Sequence, residues 1–179
     1  MIPGLHLARR FFGSLSSAPP PPADEAWAMA HLVPGERELW QRMSNPDRRH
    51  AVGVARAVVA DLGPDAGREV VAAALLHDVG KVVSGFGTFR RVGATLVWEG
   101  LERARPDPQR AVRWAHNGRL AVVRRLGQYR RHPELGAELL AAAGAHELTV
   151  AWAREHHRRP ARWTVPPEVG AVLKSCDDD

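Results

Sequence analysis

Seven consecutive apolar residues, Val70–Leu76, run directly into His77 and Asp78. At a helical period of about 3.6 residues such a run is apolar on nearly every face, so this segment must be central to any core the chain builds. The two polar residues that close it inherit that burial. His77 follows Val70, Ala73 and Ala74 at helical spacing, and Asp78 follows Val71, Ala74 and Leu75. A carboxylate there is costly to bury alone, and a metal ion is one of the few partners that suffices. Val79-Gly80-Lys81 comes next, which sets ligand-type atoms beside a cation at a helix C-terminus. The competing reading is a capping cluster in which Lys81 meets exposed carbonyls.

The rest of the chain reads as all-α, a compact helical bundle, because alanine-rich apolar segments at helical spacing dominate and strand signals are almost absent. Ser44-Asn45-Pro46-Asp47 predicts a helix start, with a capping side chain, a first-turn proline and an early acid, and this helix should run to Leu62 before Gly63-Pro64. A second helix is predicted over Asp65 to Asp78. Further helices fit Thr88 to Glu102, Pro108 to Trp114, Arg119 to Tyr129, Pro133 to Ala143, Glu147 to His157 and Pro167 to Asp177. The proline run Ala18 to Pro22 favours extended backbone. These features predict a flexible tail over residues 1–23 and one folded domain over residues 24–179, a length that suits one core and is short for two.

A single cysteine, Cys176, excludes an intramolecular disulfide framework and points to a reducing, cytoplasmic setting. No stretch reaches the roughly 18 uninterrupted apolar residues of a membrane helix. The net charge of +5 is unevenly placed: residues 84–131 hold eleven arginines against Glu99, Glu102 and Asp107, a local net of +8. That segment can steer phosphate-bearing ligands or rest on nucleic acid or anionic lipid, but no nucleic-acid motif accompanies it, and nucleic acid is not the expected partner. The oligomeric state is not legible. Of the tryptophans, Trp27, Trp40, Trp98, Trp114, Trp152 and Trp163, most should be core.

The histidines carry the chemistry. His50 shares a helical face with Gly53, Val54, Ala57 and Val58; His132 opens a helix through Pro133-Glu134-Leu135-Gly136; His156 and His157 close another behind Val150, Trp152 and Ala153. Adjacent helical residues point about 100 degrees apart, so both of the last pair can serve one site only off the helix end. Asp177 continues the apolar face of Gly170 and Leu173, although Asp178 and Asp179 beside it also fit a frayed acidic end.

The order His50, His77-Asp78, Lys81, His132, His156-His157, Asp177 resembles the HD superfamily of metal-dependent phosphohydrolases. The Leu-Leu-His-Asp-Val-Gly-Lys, His-Pro-Glu-Leu-Gly and Glu-His-His strings are similar to those of the HD-GYP family and of diadenosine-polyphosphate-type hydrolases, over about two-thirds of the chain. The resemblance implies two divalent ions, with His50, His77, Asp78 and Asp177 on one, His132, His156 and His157 on the other, and Asp78 bridging. It implies hydrolysis of a phosphomonoester, phosphodiester or phosphoanhydride bond of a nucleotide or dinucleotide by a metal-bridged hydroxide, with Asp78 and Lys81 catalytic and Lys81 on a substrate phosphate. Imidazole and carboxylate ligands without thiolate favour iron or manganese over zinc, cobalt or magnesium. Arg130, Arg131, Arg158 and Arg159, next to ligand positions in sequence, are candidates to hold anionic groups of a small phosphate-bearing substrate, or are solvated surface. Two departures stand out. Arg158-Arg159-Pro160-Ala161-Arg162-Trp163 replaces the Asp-Gly-x-Gly-Tyr-Pro loop of HD-GYP members, which argues against cyclic di-GMP, and Pro46 stands where some members carry a third-metal glutamate. The alternative reading is a non-catalytic nucleotide-sensing module.

Overall fold

The structure, a computed structural model, describes residues 18–86 and 88–178, without the side chains of residues 88–92. The predicted flexible tail lies outside the described residues as far as Ser17. The described chain is all-helical: α1 (Pro22–Ala30), α2 (Pro34–Arg42), α3 (Asn45–Leu62), α4 (Arg68–Leu76), α5 (Lys81–Ser84), α6 (Thr88–Ala104), α7 (Arg110–Asn117), α8 (Ala121–Arg130), α9 (His132–Ala142), α10 (Glu147–Glu155) and α11 (Pro167–Asp178), with 3-10 turns at Gly63–Asp65 and Pro160–Arg162.

Helix α4 is the axis of the fold. Every residue from Val70 to Leu76 is buried, none more than 4% exposed, because α2, α3 and α10 pack around it while α11 covers α3 and α9 covers α10. Trp40 and Trp152 are the largest fully buried side chains of this core. At the N-terminus of α3 the backbone N–H of Asp47 reaches Ser44 Oγ at 3.4 Å, and that hydroxyl donates to Asp47 Oδ2 at 2.6 Å, as the capping signal predicts. A separate, smaller cluster of Phe86, Ala94, Trp98 and Leu126 holds α6 to α8 together.

Three differences from the sequence expectation have physical causes. Helices α1 and α2, not anticipated, each begin with a proline at the first helical position, where the missing N–H costs nothing; α1 therefore starts at Pro22, inside the proline run. Helix α4 starts at Arg68, not Asp65, because Gly63-Pro64-Asp65 closes a 3-10 turn first. It also ends at Leu76, not Asp78: His77–Gly80 form a tight turn leading into α5. His77 keeps helical dihedrals there, and the turn is closed by bonds from the Val79 amide to the Leu76 carbonyl and from the Lys81 amide to the Asp78 carbonyl.

Gly80 is what allows the turn to sit where it does. A Cβ on Gly80 would lie 1.9 Å from the carbonyl oxygen of His132 and 2.6 Å from the amide nitrogen of Gly136, so backbone packs on backbone there. The glycines of the Val-Gly-Lys and Glu-Leu-Gly strings therefore meet, and their contact brings His132 to Asp78. Gly80→Ala should lower unfolding free energy by about 2 kcal/mol, the overpacking cost of shifting two backbone segments. Gly53→Ala, exposed in α3 with nothing within 4 Å of its added Cβ, should stabilise by about 0.5–1 kcal/mol. Urea unfolding of both variants checks the pair.

Candidate metal centre

Five backbone elements deliver the candidate residues to one place. His50 comes from the second turn of α3, His77 and Asp78 from the turn after α4, His132 from the start of α9, His156 and His157 from the turn after α10, and Asp177 from the last turn of α11. His156 keeps helical dihedrals as the C-cap of α10, and His157 follows it just past the helix end.

Asp78 is the hub, and its two oxygens look in different directions. Oδ1 lies 3.3 Å from His132 Nε2 and 3.8 Å from His156 Nε2. Oδ2 lies 3.4 Å from His77 Nε2 and accepts a hydrogen bond from Lys81 Nζ. Asp177 Oδ1 stands 3.0 Å from His50 Nε2 and 3.5 Å from His77 Nε2. His77, Asp78, His132 and His156 are buried, and His157 opens to solvent at its outer edge.

The imidazoles are oriented by the backbone. His77 Nδ1 donates to the carbonyl of Ala74 at 2.8 Å, His132 Nδ1 to that of Tyr129 at 2.8 Å, and His156 Nδ1 to that of Ala153 at 3.0 Å. Each of these bonds reaches back three residues and leaves Nε2 facing the centre, as ligating histidines are held. All three Nε2 atoms are buried without a hydrogen-bond partner. A buried polar atom with no partner costs roughly 1–3 kcal/mol, and three converging on one carboxylate form a donor set that fits a metal ion. The ligand-type atoms fall into two triads, each within 4.8 Å of one another: His50, His77 and Asp78, and His132, His156 and His157. Asp177 flanks the first triad.

The electrostatics follow from this crowding. Burial opposes the charge on Asp78, yet Lys81 and then His77 hold its carboxyl well below the usual range. Burial likewise opposes Asp177, and the His50 hydrogen bond and the His77 charge override it. Burial by itself would lower His77; Asp78, followed by Asp177, raises it to about 9. Lys81, disfavoured by burial, is kept charged by Asp78 and then Asp47. Burial and the neighbouring His77 push His156 down, while partial burial and then His132 bring His157 to about 4.

The four arginines singled out in the sequence are not part of the ring. Arg130 lies over the Trp98 ring, 5.3 Å from its centroid; Arg131 reaches His116 Nε2 at 3.0 Å; Arg158 pairs with Glu155 Oε1 at 3.8 Å; and Arg159 is exposed at the 3-10 turn. Adjacency in sequence does not carry over, because neighbouring helical side chains point apart. Two organising groups were not anticipated. Buried Glu155 accepts from the Thr164 amide at 2.6 Å and the Thr164 hydroxyl at 3.1 Å, so it ties down the loop that follows the histidine pair. Its signal was its place on the face of Leu148 and Trp152. Tyr129 stacks on His132 with ring centroids 5.9 Å apart and supplies the carbonyl that aims it; nothing in the sequence marks a carbonyl.

These shifts set a stability optimum for chelator-stripped protein. The unfolded histidine value is 6.5. Below it the unfolded chain binds protons that folded His156 and His157 resist, so stability falls as pH drops from 6.5 toward 4. Above it folded His77 keeps a proton that the unfolded chain releases, so stability falls again as pH rises through about 9. Melting curves with chelator should peak near pH 6.5, and His77→Gln should flatten the alkaline limb; a flat alkaline limb in the unmutated chain would contradict the assignment. Compared with protein-family models, curated proteins and solved structures, the chain matches none.

Proposed function

We propose that the chain is an HD-type metal-dependent phosphohydrolase acting on a phosphate-bearing small molecule, a nucleotide or dinucleotide first among them. The observation that carries this reading is the convergence of three buried, partnerless Nε2 atoms on the two oxygens of Asp78. His50, His77, Asp78 and Asp177 would hold one divalent ion and His132, His156 and His157, with Asp78 shared, the other; iron or manganese suits this thiolate-free set better than zinc, cobalt or magnesium. When bound, such ions lower the pKa of water and neutralise charge on phosphoryl oxygens.

The chain's own residues do the rest. Three backbone carbonyls hold the imidazoles with Nε2 toward the centre, and His77, which keeps a proton in the metal-free chain, would release it when an ion binds. Two carboxylates set against His77 and Lys81 make a site that demands positive charge. Lys81 is an ammonium at the mouth of the ring, half-buried and bound to Asp78, and is placed to exchange that carboxylate for a substrate phosphate. The loop Arg158 to Pro166, pinned by Glu155, follows His157 in the chain and would bound the substrate. Cys176 is unbridged, which suits a reducing cytoplasm, and among the described residues no helix is long and apolar enough to cross a membrane.

Elemental analysis of protein purified without chelator should find about two divalent ions per chain. Asp78→Asn should lose both the ions and phosphate release from a nucleotide panel. Lys81→Ala should keep the ions but lose activity on the order of 10²-fold. Absence of metal after reconstitution would overturn the reading. Nucleotide binding by the loaded protein without turnover would leave the sensing module in its place.

A further inference from the structure

The segment that joins α5 to α9 breaks the rule that exposed helix faces are polar. Among the described residues the large exposed aliphatic side chains are Leu96, Val97, Val112, Leu120 and Val122, from 40% to 69% exposed, and all lie on this one segment. Helix α6 turns Ala94 and Trp98 inward, which leaves Leu96 and Val97 on its outer face. Val97 and Val122 line a common open groove of about 500 Å³ with Phe86, Ala94 and Leu126, and among the described residues Arg125 is its charged lining residue. Leu96 on α6 and Leu120 at the start of α8 are 69% and 65% exposed.

The charge around it is equally one-sided. The segment's three acids are all engaged by its own arginines: Glu99 with Arg103, Glu102 with Arg110, and Asp107 with Arg113. Among the arginines whose side chains are described, Arg105, Arg119, Arg124, Arg125, Arg130 and Arg131 have no carboxylate partner. Aliphatic side chains projecting from a surface rich in uncompensated arginine match the interface of an anionic bilayer, which offers hydrocarbon and phosphate at adjacent depths. A nucleic acid offers the phosphates but no place for Leu96, Val97, Leu120 and Val122.

We propose that the outer face of α6 to α8, formed by Leu96, Val97, Leu120 and Val122 with Arg119 and Arg125, docks on an anionic membrane surface. The inference does not rest on the phosphohydrolase reading, and its test is run in chelator so that metal chemistry plays no part.

The test is co-sedimentation of the full chain with phosphatidylcholine vesicles, with and without phosphatidylglycerol. The chain should pellet with the anionic vesicles and stay in solution with the neutral ones, with partial loss of binding as salt is raised. Arg119→Glu with Arg125→Glu should weaken partition by at least about ten-fold. Leu96→Ser with Val97→Ser, and separately Leu120→Ser with Val122→Ser, should each weaken it on the order of ten-fold. Melting temperatures of these surface variants should match the unmutated chain. Failure to bind anionic vesicles overturns the proposal, as does binding indifferent to the aliphatic changes. A dimer in solution that Leu96→Ser with Val97→Ser converts to monomer, without vesicle binding, would make the face a subunit contact and also overturn it. Retention on duplex nucleic acid in place of vesicles would do the same.

Discussion

Burial of the Asp78 carboxylate is the constraint around which the rest of the molecule is arranged. It stands at the end of a helix with no solvated face, 6% exposed, where an unpaired charge would cost several kcal/mol. Lys81 and His77 answer one oxygen, and His132 and His156 face the other. Of the helices packed on α4, α3 carries His50 to the same centre and α10 carries the carbonyl of Ala153 that orients His156. The helices are packed for burial, and the turns between them are spent on Asp78.

The placement of those turns matters more than the helices themselves. Had α4 continued through Asp78, its histidine and aspartate would have pointed about 100 degrees apart on a cylinder. Both pairs stand at a helix end, His77-Asp78 after α4 and His156-His157 after α10, and both pairs face the same centre. The Gly80 to His132 backbone contact then locks the two halves of the ring together.

Two surfaces of opposite character share one chain. The centre concentrates ligand atoms in a dry pocket where each charge has a counterpart, and the α6 to α8 segment leaves arginines uncompensated beside open aliphatic side chains. The segment also keeps its own small core, Phe86, Ala94, Trp98 and Leu126, apart from the main one. Its three acids are used up internally, so the excess positive charge read from the sequence is carried outward.

Much of this was legible in the residues alone. The all-apolar run Val70 to Leu76 fixes a central helix, since a segment with no polar face has no other place to go. The Ser44 cap fixes where α3 starts. Apolar periodicity marks the faces that carry His50, His77, Asp78 and Asp177, and the grouping of all seven residues rests on the resemblance of their order to a known superfamily. Tertiary structure decided what periodicity cannot express. It ended α4 and α10 two residues earlier than periodicity predicts, gave α1 and α2 to a proline-punctuated stretch, and drew Arg130, Arg131 and Arg158 to Trp98, His116 and Glu155. It also chose Glu155 and the carbonyls of Ala74, Tyr129 and Ala153 as positioning groups. A sequence records which atoms are available and which faces seek burial; which backbone oxygen lies three ångströms from which imidazole depends on how separate helices cross, and that is settled only when they pack.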